Sequence, residues 1–349
     1  ITMLRTNDIS ELDFNYKTFL DRTHIFLGAS GTGKSTVMVN VMHSIRDHVE
    51  QVIVISPTDR QNHTYDRGLV PLPCIHYTIT DILLTNLWER QEALVSVMTQ
   101  ATNPAILQSL FDKIPSTDRY KMMVSEIKQK LAAFRAEVAR GNNASSTPNN
   151  MEAECNKLIQ TAMKHSIAKN EALLKTMRLS DQEKFTMKYA TLNPRLLLIF
   201  DDCTDQLKRM KKHPVIQKIF YQGRWNFITC LIACHTDKAL DPELKKSAFV
   251  TMFTDEPSAN AYFSRGSNDL TKEDQRKAQA ALKAAFTPAE RFQKLAYVRD
   301  EGVFKKFIAT KYDDFQFGSQ HVWQYCETIK AEPGTAAVNN RFMHGFDIS

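Results

Sequence analysis

Gly28-Ala29-Ser30-Gly31-Thr32-Gly33-Lys34-Ser35, followed by Thr36, fills every fixed position of the pattern G-x-x-x-x-G-K-[ST]. The chemistry of that spacing is phosphate binding. Glycines let the backbone wrap round phosphate oxygens, and a helix beginning behind them offers unpaired N–H groups and a favourable dipole. Lys34 is expected to reach the β and γ phosphates of a nucleoside triphosphate, and the Ser35 hydroxyl to sit on Mg²⁺. The flanking residues supply the strand and helix that such a loop needs. His24 to Leu27 read as a short buried strand, and Val37, Val41, Met42 and Ile45 have helical spacing.

A second stretch, Arg195-Leu196-Leu197-Leu198-Ile199-Phe200-Asp201-Asp202, is an apolar run ending in two carboxylates. It has the form of the acidic strand called Walker B. Acids at the C-terminal end of a strand covered on both faces point into the crevice where open α/β sheets bind ligands. Asp201 is read as the Mg²⁺ residue, acting on the metal's water shell, and Asp202 as the group that orients and deprotonates the attacking water. Adjacent strand residues face opposite ways, so both acids enter one site only where the strand is ending. Gln206 to Pro214 follows as the densest basic run, suited equally to a phosphate backbone or to a solvated helix face. Gly223 to Thr236 then gives a turn and a strong strand. His235 at its polar end is the candidate γ-phosphate sensor, and Arg224 ahead of it the candidate arginine finger. Cys230, Cys234 and His235 invite a metal reading, but they lie along an apolar strand whose alternate residues diverge, so core packing is the expectation for both cysteines.

These groups need an α/β frame to position them. Gln51 to Ser56 is a further strand, making a strand, helix, strand unit with parallel pairing. Phe249 to Phe253 is another. Thr271 to Phe286 is an alanine-rich helix opened by a capping Thr271 with Asp274 three residues on, and Leu295 to Arg299 with Val303 to Tyr312 reads as a β-hairpin able to extend a sheet edge. Between Tyr77 and Leu192 strand signals vanish in favour of amphipathic stretches such as Ser116 to Arg140 and Met151 to Met177. The polar segment Gly141 to Asn150 divides them as an expected loop. The expected organisation is a lead-in segment 1–22, an ATPase core over 23–76 and 193–330, a helical insertion 77–192 and a loose tail 331–349.

The chain's 349 residues carry 45 Lys and Arg against 39 Asp and Glu, a net charge of +6, so any nucleic-acid surface must come from clustering. Six cysteines without a C-x-x-C pair read as free thiols of a reducing compartment. No apolar run approaches the ~18 residues that would cross a bilayer, and no signal peptide is recognisable, so a cytosolic site is expected. The missing guanine signature N-K-x-D argues against a GTPase.

Phe26 to Thr36, Leu197 to Asp202, and Gly223-Arg224-Trp225 running into the strand that ends at His235 together resemble the genome-packaging ATPases of large double-stranded DNA viruses, poxvirus and giant-virus type, within the FtsK and HerA class. The likeness covers residues 22–56 and 192–312. It implies an α/β, RecA/FtsK-like ASCE P-loop NTPase with a mainly parallel central sheet flanked by helices. It further implies ATP and Mg²⁺, hydrolysis by Lys34, Ser35, Asp201 and Asp202, a finger at Arg224 and a sensor at His235. Double-stranded DNA, a homo-oligomeric ring of five or six subunits, capsid vertex proteins, and assembly sites in the host cytoplasm are the implied partners and place. Two departures stand out: Asp202 where cellular members usually have Glu, and His235 where they usually have Gln. A helicase or other DNA-remodelling ATPase, and an ATP-switched scaffold without significant turnover, remain the alternative functions.

Overall fold

The apolar runs of the sequence form the centre of one sheet in the computed structural model, which describes residues 9–139, 148–268, 270–287, 292–312 and 314–329. β1 (Thr23–Leu27), β2 (Gln51–Ile55), β3 (Ile75–His76), β4 (Leu196–Phe200), β5 (Ile228–Cys234) and β6 (Val250–Phe253) are buried along their whole length. Burial on both faces is what continuous apolar strands require, and parallel pairing supplies it by placing helices over each face. β7 (Gln293–Val298) and β8 (Val303–Ile308) close the chain's hairpin, turning at Gly302 with φ 61°, a value that favours glycine. The eight strands lie in the order β3-β2-β4-β5-β1-β6-β7-β8. The first six are mutually parallel and the hairpin adds two antiparallel strands at one edge. This is the α/β arrangement expected, a mainly parallel central sheet, with the hairpin extending it.

Register decides where the strands stop. Leu27 lies opposite Cys234 and Phe253, Phe200 opposite Ile232 and Ile55. The residues that follow each strand, beginning with Gly28, Ser56, Asp201, His235 and Thr254, therefore emerge along one edge of the sheet. β3 escaped the sequence reading because two residues carry no periodicity.

The chain divides into two compact units: residues up to 92 together with those from 194 onward, and residues 93–193. The second is helical, with its own apolar core around Leu110, Phe111, Met163, Ile167 and Leu174. Its helices include Pro104–Asp112, Arg119–Ala139, Pro148–Lys169 and Asp181–Tyr189. Glu183 organises the last of these, accepting from the Lys113 ammonium, from Ser180 N in a capping box and from the Ser109 hydroxyl, and these contacts, Lys113 foremost, hold its carboxyl down at about 2. The expected loop Gly141 to Asn150 is corrected at its end: Pro148, Asn149 and Asn150 already belong to the helix, since proline suits a helix's first position. The rest of that loop, like the tail 331–349 and the first eight residues of the lead-in, lies outside the described residues. All six cysteines are free thiols, and among the described residues no group of three His, Cys, Asp or Glu side chains forms a metal cluster.

Candidate nucleotide-binding site

The loop Gly28 to Thr36 runs from the end of β1 into the helix Lys34–Ile45. Gly31 and Gly33 take φ of 75° and 92°, the left-handed region a turn of this tightness needs. Gly28 is required for a different reason: a Cβ there would stand 1.9 Å from Thr254 Oγ1. The loop is braced from the β6–β7 side. Ala29 N donates to Asp255 Oδ2 at 2.6 Å, the Thr32 and Thr254 hydroxyls meet at 2.6 Å, and Lys294 Nζ donates to Thr32 O and Thr254 O at 2.8 and 2.9 Å. Half-burial lowers the Lys294 pKa. Ser30 is exposed at the tip of the loop.

Lys34 is buried and its ammonium donates to Gly28 O and Ala29 O, both at 3.0 Å, and to His235 Nδ1 at 3.3 Å. An ammonium can only donate, so Nδ1 is the acceptor and the ring proton belongs on Nε2. That nitrogen lies 3.3 Å from Asp202 Oδ1, while Asp202 Oδ2 accepts from Thr58 Oγ1 at 3.0 Å. Lys34, His235, Asp202 and Thr58 thus form one continuous chain of donors and acceptors. His235 is tied further by its own N–H, which donates to Thr204 Oγ1 at 3.4 Å.

The two adjacent acids share the crevice because β4 ends at Phe200 and Asp202 turns with φ 52°. A non-glycine residue in that region is uncommon and marks a local constraint. Asp201 is wholly buried. Its Oδ2 accepts from Ser35 Oγ and from Tyr65 OH, each at 2.9 Å, and its Oδ1 has no hydrogen-bond partner among the described residues. Burial, then the charge of Asp202, raise the Asp201 pKa, against the hydrogen bonds from Ser35 and Tyr65 and the charge of Lys34. A hydroxyl, a carboxylate oxygen and an unpartnered buried carboxylate oxygen are hard donors of the kind Mg²⁺ takes, with phosphate and water completing its shell.

Beside Ser35 and Thr36 opens a cleft of about 740 Å³ that reaches Arg67, Tyr312 and Phe315. Its size suits a small molecule. One wall is fixed by the Tyr312 ring stacked on His43, centroids 3.8 Å apart.

Arg224 is not in this constellation. It lies in the 3₁₀ turn Gly223–Asn226 ahead of β5, whereas His235 follows that strand. Six steps of strand separate the two ends, roughly 20 Å. Arg224 is exposed there, next to Trp225, which is 77% exposed, and its charge adds to burial in lowering the pKa of Arg22.

The structure adds residues that sequence reasoning missed. Thr254 and Asp255 follow a strand end, as Asp201 and His235 do, so the strand-end argument applied to β6 would have found them. Thr58, Tyr65 and Lys294 carry no local signal. They reach the site from segments whose course depends on the packed sheet.

No protein-family model matches the chain. Among solved structures, it is similar to the genome packaging NTPase B204 from Sulfolobus turreted icosahedral virus 2 in complex with ATP-gammaS, over 86% of this chain and 100% of that one, at 11% identity and TM-score 0.39. It is also similar to the bacterial conjugative coupling protein TrwB in complex with sulphate, over 90% and 92% of the two chains, at 10% identity and TM-score 0.38. In sequence it is similar, at 29% identity over 98% of its own length and 97% of the relative's, to the African swine fever virus protein B354L (isolate Pig/Kenya/KEN-50/1950), named as an uncharacterized protein.

Proposed function

We propose that the chain is a Mg²⁺-dependent ATPase working in an oligomeric ring to translocate double-stranded DNA, packaging a viral genome into a preformed capsid at assembly sites in the host cytoplasm. One observation carries the enzymatic part: the phosphate loop, two acids and a histidine converge on one edge of the sheet, while the candidate transition-state cation Arg224 stands at the opposite edge. A site so arranged takes its finger from a neighbouring copy. The packaging part rests on the resemblance carried by Phe26 to Thr36, Leu197 to Asp202 and Gly223 to His235.

In this reading the loop amides and Lys34 hold the β and γ phosphates, the ammonium exchanging its contacts with Gly28 O and Ala29 O for phosphate oxygens. The nucleoside lies in the cleft beside Thr36. Ser35 and Asp201 would hold Mg²⁺, which when bound neutralises charge on the phosphate oxygens. Tyr65 keeps Asp201 aimed by its hydrogen bond to Oδ2. Asp202 accepts a proton from the attacking water as the water oxygen bonds to the γ phosphorus and the bridging P–O bond breaks, leaving ADP and phosphate. His235, bonded to both Lys34 and Asp202, orients that carboxylate and ties its position to the lysine that grips the γ phosphate. Arg224 of one subunit stabilises transition-state charge in the next.

The test is Mg²⁺-dependent ATP hydrolysis with and without duplex DNA, with assembly state followed by light scattering. Lys34→Ala should abolish turnover and Arg224→Ala should lower it by about 10³ to 10⁵. ATP binding without turnover in any assembly state would instead indicate a nucleotide-switched scaffold.

A further inference from the structure

The same sheet edge carries a second set of groups that hydrolysis does not use. Two residues after Asp202 begins the helix Thr204–Met210, and in it and the turn beyond stand Lys208, Arg209, Lys211 and Lys212. Lys208, Arg209 and Lys212 are exposed and Lys211 is half-buried, with no carboxylate in ion-pairing range of any of the four among the described residues. Asp205 is the one acid within the helix.

The opposite side of this helix is fastened at several points. Cys203 Sγ donates to Ile55 O at 3.1 Å, the Thr204 hydroxyl accepts from His235 N, and Leu207 is buried. Gln206 accepts from Ile79 N at 2.6 Å and donates to Tyr77 O at 3.4 Å. Over the Tyr77 ring lies the guanidinium of Arg60, 4.0 Å from its centroid, and Arg60 is exposed. Lys238, exposed in the 3₁₀ turn Asp237–Ala239 after β5, adds a cation on the other flank. Segments following β2, β4 and β5 thus each present positive charge along the edge that holds the candidate nucleotide site.

We propose that this basic rim holds the phosphate backbone of double-stranded DNA, and that the helix Thr204–Met210 links the duplex to ATP chemistry through its ties to Asp202 and His235. The proposal rests on the motor reading above. Charge complementarity names the occupant. A protein partner would need buried apolar or aromatic anchors, and none of the large exposed apolar side chains among the described residues lies between Cys203 and His213. A polyphosphate needs only spaced cations on one accessible face. Pull or rotation on the duplex would move a helix whose first turn contacts the sensor histidine, so DNA engagement and hydrolysis are mechanically joined.

The experiment measures binding of a fluorescent duplex over 50 to 200 mM salt for the full chain and for a variant with Lys208→Ala, Arg209→Ala, Lys211→Ala and Lys212→Ala. Each phosphate contact contributes about 0.9 to the log–log salt slope, so the variant's slope should be shallower by about 3 to 4. Its ATP binding and DNA-independent hydrolysis should match the parent, while stimulation by DNA is lost. A charge-keeping variant, Lys208→Arg, Lys211→Arg and Lys212→Arg, should retain the parent slope. If the fourfold variant fails to fold, the single changes Lys208→Glu and Lys212→Glu carry the same comparison. An unchanged slope overturns the rim while leaving the motor reading intact. A parent chain that hydrolyses ATP but binds no duplex at any salt overturns both, and equal competition by single-stranded RNA overturns the assignment to duplex DNA.

Discussion

Asp201 illustrates what a single side chain must do at such a site. It is held ionisable inside the protein by two hydroxyl donors, Ser35 and Tyr65, while burial works against its charge. If Ser35 turns to a metal, Tyr65 is the donor left to orient the carboxylate. Tyr65→Phe removes one hydroxyl from a wholly buried ring and should leave the fold in place. Loss of a partner of this kind commonly weakens metal affinity or activity by about 10- to 100-fold. The Mg²⁺ concentration giving half-maximal hydrolysis is therefore expected to rise by that factor, with ATP binding in the absence of metal unaffected. An unchanged Mg²⁺ dependence would remove Tyr65 from the positioning scheme.

Among the elements, β1 and β3 each hold a buried histidine whose protonation opposes the folded state in acid. His24 of β1 and His76 of β3 are buried, and desolvation pulls each pKa down to about 4. His24 keeps a hydrogen bond with Phe19 O at 2.9 Å, whereas His76 Nε2 has no partner among the described residues. Both rings are neutral in the folded chain but protonate near 6.5 when unfolded. Their contribution is therefore complete above about pH 6.5 and declines as pH falls toward 4, by about 3 kcal/mol for each ring at the end of that window. Glu183, whose depressed pKa makes it an acid-loss group only below ordinary carboxylate values, acts at lower pH. Thermal unfolding followed from pH 7 to 4 should show the midpoint falling by roughly 10 °C. His76→Leu should remove about half of that fall, and an identical pH profile in the variant would assign the acid sensitivity elsewhere.

At the scale of the whole molecule, the two edges of the sheet are chemically different. One gathers Lys34, Asp201, Asp202 and His235, and the other presents Arg22, Arg224 and exposed Trp225. A ring in which the second edge meets the first of a neighbour would complete every site with a foreign arginine. Mixing Lys34→Ala chains, which keep the finger, with Arg224→Ala chains, which keep the phosphate loop, should restore part of the hydrolysis that neither shows alone. Recovery should peak near equal proportions. Absence of recovery at every ratio, in mixtures shown to co-assemble, would mean that Arg224 does not act across a subunit boundary.

The sequence by itself determined the phosphate loop, the acidic strand, the parallel character of the sheet and the terminal hairpin, because each is a local pattern whose spacing has one physical reading. Gly28 to Ser35 cannot be moved by a residue without losing its motif, and fully apolar runs such as Leu196 to Phe200 demand cover on both faces. Tertiary structure alone decided that Asp201 and Asp202 share a crevice, since that depends on the strand ending at Phe200 and on one positive φ. It also brought Thr58, Tyr65, Asp255 and Lys294 to the site, because the contacts of these residues with Asp202, Asp201, Ala29 and Thr32 span between 136 and 262 positions of the chain. Such pairings follow from the order and register of the strands, which hydrophobic periodicity along the chain does not encode.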